Sequence, residues 1–593
     1  MTSLLTRSGD VMVPELLATC LLLSLLPGAH AGDVIVETGY GRIRGVSSTL
    51  AVSFRGVPYA RPPVGALRWT LPLPPNAWAP NILDADQDPP GCPQIGCEPQ
   101  YLCPKTTSED CLYMNIFTPL LAKNGSNLPV MVNIHGGNFF FMSGASPIFD
   151  GEVFVQRGNV ILVNINYRLG ALGFLVTGSR QEDARGNYGL YDQIEALKWI
   201  RDNIRSFGGN PNQVTLFGQS AGAQSTLQHM TSAESADLFH KVIIESSPIA
   251  LPYKTYAEAF VLGGLLAEAL GCQVEDVTCL RSRSADDVAK AAFDTRAKVA
   301  SLKFLEMFEP FNPYIDGQLV TGQPLDVYSR GEFSRKPMVV GNTREETVLY
   351  IYGSYNKSMD IEDYLALIGV TRPGQLLQIV QHYPPTASSR DQREVLVNIS
   401  TDLVFKCPTR NLTRTALTRG LQDVWFYVFD HALSFPGWGP ATYCNGRACH
   451  GVEVVYVFHT AYLANFTFTP DEELLSSSMM TYWTNFAWTG DPNRQPAGWL
   501  PARPRDLQPA RRRPTKPEVV RSGQSDVSLF EILQPGGRGG GVTCAADVLE
   551  WPRYSSTTGW QAMYFQTPVN RIVSNYNDKL CTFWDGIGYG RVR

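Results

Sequence analysis

Val214-Thr215-Leu216-Phe217-Gly218-Gln219-Ser220-Ala221-Gly222 joins a short β-rich run to a G-x-S-x-G turn. A buried strand would deliver Ser220 to a sharp turn, and a helix is predicted to begin just beyond it. Side chains at positions 218 and 222 would crowd such a turn, which is the steric reason for glycine at both. The serine hydroxyl would then stand at the carboxyl end of a strand, near a helix N-terminus whose free N–H groups favour negative charge. Taken alone the pattern also fits an ordinary turn, so its surroundings have to decide.

Working outward, short apolar runs alternate with helical patterns. Val130–Ile134 and Val160–Ile165 read as buried strands. Tyr191–Ile204 reads as an amphipathic helix with Ile194, Leu197, Trp199 and Ile200 toward the core. Lys241–Ile244, Met338–Val340 and Val424–Phe429 read as later strands. Continuous apolar strands separated by helices predict an α/β fold with a mostly parallel sheet covered on both faces. Ligands of such sheets bind at the carboxyl ends of the strands. No internal repeat is visible.

The chain has 593 residues, 44% of them hydrophobic, and a formal net charge of −5. That composition buries a large core, and its mild acidity gives no reason to expect a nucleic-acid partner. Leu16–Leu26 is an apolar run too short to span a bilayer, broken by Pro27-Gly28 and followed by Ala29-His30-Ala31. Residues 1–31 therefore read as a secretory signal with a small-x-small cleavage site, and 33–593 as the mature domain. A signal anchor is the competing reading, and Met12 is an alternative start. No second apolar stretch approaches membrane length, so no stable membrane anchor is expected and the protein is predicted to be secreted. Segment 501–548 departs in composition, with Arg511-Arg512-Arg513 and a glycine run from Gly536. It reads as a disordered insertion; a regulatory loop and an error in the gene model are the alternatives.

Twelve cysteines fit an oxidising compartment. Without Cys20 in the signal and Cys544 in the insertion ten remain, an even number. No pair of C-x₂-C knuckles or clustered histidines suggests metal, so disulfides are expected. Sequons at Asn124, Asn356, Asn398, Asn411 and Asn465 agree with secretion and N-glycosylation.

A serine hydroxyl needs a positioned base, and histidine is the usual one. Of eight histidines, His30 leaves with the signal and His135 adjoins a glycine pair. His229 falls on the helix after the turn, pointing away from the hydroxyl, and His240 lies at the wrong edge of the sheet. His382 reads as surface loop, while His431 and His459 read as satisfied core or edge residues. His450 sits in Cys444-Asn445-Gly446-Arg447-Ala448-Cys449-His450-Gly451, where a disulfide and a glycine would hold it rigid, as a catalytic base requires. The acid should lie between Ser220 and His450 at a strand end. Gly341-Asn342-Thr343-Arg344-Glu345-Glu346 meets that requirement; Glu346 is preferred to Glu345, but spacing does not separate them. His135-Gly136-Gly137-Asn138-Phe139 after the Val130 strand fits a loop that offers backbone N–H groups to an oxyanion, with the N–H of Ala221 as the remaining donor.

Together these motifs resemble the type-B carboxylesterase/cholinesterase family of the α/β-hydrolase superfamily. Phe54-Arg55-Gly56-Val57-Pro58-Tyr59-Ala60, Ser108 to Asn115 (S-E-D-C-L-Y-M-N), Asn166-Tyr167-Arg168-Leu169-Gly170, Gly490-Asp491-Pro492-Asn493 and Trp551-Pro552 are similar to its ordered blocks, from about Gly39 to Asp585. The resemblance implies an α/β-hydrolase fold, Ser220 as nucleophile, Glu346 as acid, His450 as base and oxyanion N–H groups at Gly137, Asn138 and Ala221. It also implies disulfides Cys92–Cys111, Cys272–Cys279 and Cys407–Cys581, leaving Cys97–Cys103 and Cys444–Cys449 as extra pairs.

Family members usually carry a third glycine where Asn138 stands. Asparagine still donates its N–H and tolerates left-handed backbone, so activity should survive. The Cys92–Cys111 loop holds no tryptophan for cation–π binding of a quaternary ammonium, only Tyr101, which argues against choline esters. The expected function is a secreted serine esterase acting on small neutral carboxylic esters, with no cofactor or metal. The alternative is a non-catalytic adhesion or binding relative; such members typically lack the nucleophile, whereas Ser220 is present. The natural substrate, its acyl preference and the oligomeric state are not readable.

Overall fold

The computed structural model describes residues 33–300, 308–387, 390–496 and 549–589. The stretch read as a signal, with Cys20, and the stretch read as an insertion, with Cys544, lie outside the described residues. The strands are β1 (Asp33–Thr38), β2 (Gly41–Ser47), β3 (Ala51–Pro58), β4 (Ile82–Asp84), β5 (Tyr113–Pro119), β6 (Leu128–Ile134), β7 (Ile161–Ile165), β8 (Gly209–Gln219), β9 (Lys241–Glu245), β10 (Met338–Thr343), β11 (Val424–Phe429), β12 (Gln561–Phe565) and β13 (Arg571–Ser574). They form one sheet in the order β1-β2-β3-β5-β7-β6-β8-β9-β10-β11-β12-β13, with β4 paired to β2. From β7 through β12 every neighbouring pair is parallel, and apart from the parallel β2–β4 pair the two flanks are antiparallel. The chain is therefore an α/β-hydrolase fold with a mostly parallel sheet.

Strand geometry sends alternate side chains to opposite faces. Val130, Val132, Leu216, Val242, Val340 and Val428 pack on one face with Ile194, Leu197 and Leu227 from helices. Met131, Phe217, Ile243, Val339 and Trp425 pack on the other with Phe154, Val457, Met479 and Trp483. Both faces are thus covered, which is why the central strands carry apolar residues without alternation. The helix expected over Tyr191–Ile204 runs Tyr188–Asn203, with Ile194, Leu197, Trp199 and Ile200 buried.

Five disulfides are formed: Cys92–Cys111, Cys97–Cys103, Cys272–Cys279, Cys407–Cys581 and Cys444–Cys449. Cys407–Cys581 ties helix Cys407–Thr418 to helix Asp578–Ile587 across 174 residues of sequence. Among the described residues no helix is long and apolar enough to cross a membrane. Asn124, Asn356, Asn398 and Asn465 are exposed. Asn411 is half-buried and donates its side-chain amide to Asp585 Oδ1 at 2.8 Å.

Candidate active site

Strand β8 ends at Gln219 and helix Ala221–Thr231 begins at once, so Ser220 is squeezed between them at φ 59°, ψ −123°. Backbone in this region is strained and is held by its surroundings. The Ser220 N–H donates to the Glu245 carbonyl at 2.9 Å, pinning the turn to β9. A Cβ at position 222 would lie 1.9 Å from the Ile134 carbonyl oxygen, and one at 218 would lie 2.6 Å from the same atom. The two glycines therefore let the elbow press against the end of β6.

After β6 the chain turns through Gly137 (φ 89°), Asn138 (φ 55°) and Phe139 (φ 60°). The N–H groups of Phe140 and Phe141 both donate to the Gly137 carbonyl, fixing the turn. Asn138 occupies left-handed backbone as the sequence suggests for asparagine. The N–H groups of Gly137, Asn138 and Ala221 donate to no acceptor among the described residues. Gly136 lies under the turn, where a Cβ would sit 3.1 Å from the Ser220 Cβ. His135 is fully buried, stacks on Tyr167 at 4.5 Å and is pushed down to about 4 by desolvation. It is a neutral wedge behind the loop.

His450 follows the Cys444–Cys449 disulfide and is 6% exposed. Its Nδ1 lies 2.5 Å from Glu346 Oε2, while Glu346 Oε1 accepts the Thr343 N–H at 2.7 Å. Both oxygens of this wholly buried carboxylate are used, which fixes the ring. Glu345 turns the other way. Its carboxylate accepts the Ala448 N–H at 3.0 Å and its N–H donates to the Ala448 carbonyl at 3.1 Å, stitching β10 to the histidine loop.

His229 is buried on the elbow helix, bonded to Gln193 at 2.9 Å and Ser235 at 3.2 Å. One expectation is corrected: His382 is not in a loop but ends helix Leu376–His382, where its ring stacks on Phe583 at 3.9 Å. The Tyr-Pro-Pro sequence that suggested a loop begins one residue later.

Several groups at the site carry no sequence motif of their own. Gln219 Nε2 lies 3.1 Å from His450 Nε2; with the ring proton on Nδ1, the amide donates and the imidazole accepts. The Tyr350 ring packs 5.5 Å from the His450 ring, and its hydroxyl donates to Asn138 Oδ1 at 3.2 Å and reaches the Ser220 hydroxyl. Tyr350 lies four residues beyond Glu346, on the helix Val348–Ser354 that follows the turn holding the glutamate. Beneath the histidine, Glu453 Oε1 accepts from the Ser246 hydroxyl at 3.2 Å and Glu245 Oε1 accepts from Trp483 Nε1 at 2.8 Å. Burial, with Glu346 and Glu245 adding repulsion, holds the Glu453 carboxyl far above the usual range. Glu245 is pushed up to about 7 by desolvation.

A raised carboxyl favours the protonated folded state. Its stabilising contribution is complete below about pH 4.5 and is lost as pH rises through about 7. The thermal midpoint should therefore fall between pH 5 and pH 8, and Glu245→Gln should flatten part of that fall. Matching slopes for the two proteins in a melting series would rule out this contribution.

Ser220, His450, Gly137 and Asn138 line one cavity of about 710 Å³. Its walls include Phe149, Leu349, Phe435, Trp438, Val454 and Phe466, an apolar surround suited to small organic ligands. Tyr101 also lines it and donates its hydroxyl to the Gly437 carbonyl.

The profile described as the Carboxylesterase family matches residues 32–521. The chain belongs to the carboxylesterase family. It is 36% identical over 463 residues to the cAMP-regulated D2 protein of Dictyostelium discoideum, covering 77% of this chain and 84% of that one. It is 33% identical over 473 residues to the para-nitrobenzyl esterase of Bacillus subtilis, covering 78% and 92%. A solved thermophilic para-nitrobenzyl esterase superposes with a TM-score of 0.73 at 28% identity, over 93% of this chain and 99% of that one. Membership in this carboxylesterase family carries carboxylic-ester hydrolysis as the general chemistry and a small-molecule ester as the class of substrate.

Proposed function

We propose that the protein is a secreted serine esterase that hydrolyses neutral carboxylic esters through an acyl-enzyme on Ser220. The observation that carries this reading is the carboxylate-oriented His450 sharing a cavity with a strained, helix-capping Ser220. Ser220 Oγ attacks the ester carbonyl carbon and passes its proton to His450 Nε2, while the carbonyl π electrons move onto oxygen. The N–H groups of Gly137, Asn138 and Ala221 receive that oxyanion. Glu346 holds the Nδ1 proton and stabilises the imidazolium. Collapse breaks the carbon–alkoxy bond, and His450 protonates the leaving alcohol. Water then repeats the sequence on the acyl-enzyme and frees the acid.

Gln219 is the group that His450 Nε2 must exchange for the serine proton. Replacing it with glutamate puts an anion beside the imidazolium and favours the protonated ring, which cannot act as base. The acid limb of the kcat/KM profile should shift upward by about one pH unit in Gln219→Glu. An unmoved or downward-shifted limb would contradict the contact.

Five disulfides, four exposed sequons and the leader-like residues 1–31 support secretion as a glycoprotein. The deciding experiment exposes purified full-length protein to a fluorophosphonate and maps the adduct by mass. The expected result is a single modified peptide containing Ser220, together with hydrolysis of p-nitrophenyl acetate and butyrate. Folded protein that neither labels nor turns over would leave the binding-protein alternative in its place.

A further inference from the structure

Gly137, Asn138 and Phe139 stand consecutively in left-handed backbone, and two of the three are not glycine. Such backbone persists only where its surroundings hold it. The Gly137 carbonyl accepts from the Phe140 and Phe141 N–H groups, and the Phe139 carbonyl accepts the Gly170 N–H at 2.7 Å. Asn138, between them, has no such backbone anchor: neither its N–H nor its carbonyl makes a hydrogen bond among the described residues. Its tether is the side chain, whose Oδ1 accepts the Tyr350 hydroxyl at 3.2 Å.

Tyr350 is itself well fixed. It stands on helix Val348–Ser354, two residues after the helix begins. Its ring meets Phe308 edge-on with centroids 4.8 Å apart, lies 5.5 Å from the His450 ring and stacks 6.4 Å from Phe405. A ring clamped on these sides aims its hydroxyl at one place, and that place is the Asn138 side chain. Both residues line the main cavity.

We propose that Tyr350 is a positioning residue whose hydroxyl holds the Asn138 side chain and thereby aims the Asn138 N–H at the oxyanion. This rests on the serine-esterase reading above. The asparagine side chain takes staggered positions relative to its own backbone nitrogen, so pinning Oδ1 restricts rotation of the peptide that carries the N–H. A donor held in place in advance needs no reorganisation as charge develops on the carbonyl oxygen. The benefit falls on the transition state, because the ground-state carbonyl carries far less charge, and so it belongs to kcat rather than KM. A glycine at position 138 would give the hydroxyl no side chain to hold. The tyrosine and the asparagine therefore work as a pair.

The test is a double-mutant cycle on p-nitrophenyl acetate hydrolysis by the full-length protein, with Tyr350→Phe, Asn138→Gly and the two combined. Phenylalanine keeps the ring contacts and removes only the hydroxyl. Tyr350→Phe should lower kcat by about five- to tenfold while KM stays within about twofold. The rate constant for fluorophosphonate labelling should fall by the same factor, since the phosphonyl oxygen uses the same donors. In the Asn138→Gly background, whatever its own rate, adding Tyr350→Phe should change kcat by less than about twofold. Asn138→Asp keeps an acceptor for the hydroxyl, so Tyr350→Phe should be costly again in that background. Each ratio is taken within one background, so a folding defect common to both members cancels. An equal loss in the wild-type and Asn138→Gly backgrounds would show that the hydroxyl acts through some other group and overturns the proposal. No loss in the single variant, or a loss confined to KM, overturns it as well. If the wild-type protein neither hydrolyses the ester nor labels, it is the esterase reading that has failed, and this proposal falls with it.

Discussion

Ser220→Ala is expected to lower kcat for p-nitrophenyl acetate by about 10⁴-fold or more and to abolish fluorophosphonate labelling. The change removes one oxygen and little else. Alanine keeps the Cβ, and the backbone N–H still donates to the Glu245 carbonyl, so the elbow should persist at its strained φ of 59°. The free N–H groups of Gly137, Asn138 and Ala221 are untouched, and a small residual rate from oxyanion stabilisation is the expected floor. The thermal midpoint should stay within a few degrees of wild type. A variant that kept a tenth of the activity would show that the nucleophile is elsewhere.

Glu346→Gln should cost about 10³- to 10⁴-fold in kcat, while Glu345→Gln should stay within a few-fold of wild type. The reason is proton placement. Glu346 Oε1 accepts the Thr343 N–H, and Oε2 faces His450 Nδ1. In a glutamine the amide oxygen must remain on the Thr343 N–H, so the NH₂ group faces Nδ1. The imidazole then avoids a donor–donor clash only by carrying its proton on Nε2, the atom that has to accept the serine proton. Glu345 contacts the Ala448 backbone and the Arg447 guanidinium instead, and a glutamine there keeps an acceptor for the Ala448 N–H. Equal losses in the two variants, measured with wild-type-like melting, would undo the assignment of Glu346.

The first prediction concerns a residue that a short sequence pattern singles out, and the reason is local. The elbow needs a strand, two glycines and a helix start within nine residues, and its steric demands are met by neighbours in the chain. The apolar runs of β6 through β11 were legible for a similar reason, because a strand buried on both faces tolerates no alternation. The antiparallel flank carries less signal. Strand β1 alternates exposed and half-buried positions, and β4 is three residues long. Their pairing is set by partners elsewhere in the chain.

The places of Ser220 in the elbow, of His450 behind its disulfide and of the glycine turn after β6 were thus readable from order and spacing, together with the α/β class. Which of two adjacent glutamates faces the histidine was not, because at the end of a strand neighbouring side chains point to opposite sides and 104 residues separate Glu346 from His450. The same holds for Gln219 at the His450 Nε2 edge and Tyr350 against the histidine ring. Each is an unremarkable residue in the chain and acquires a role through packing against distant segments. Local sterics are written in local sequence, whereas burial, and the protonation it imposes on a carboxyl, exists only once the sheet has brought those segments together.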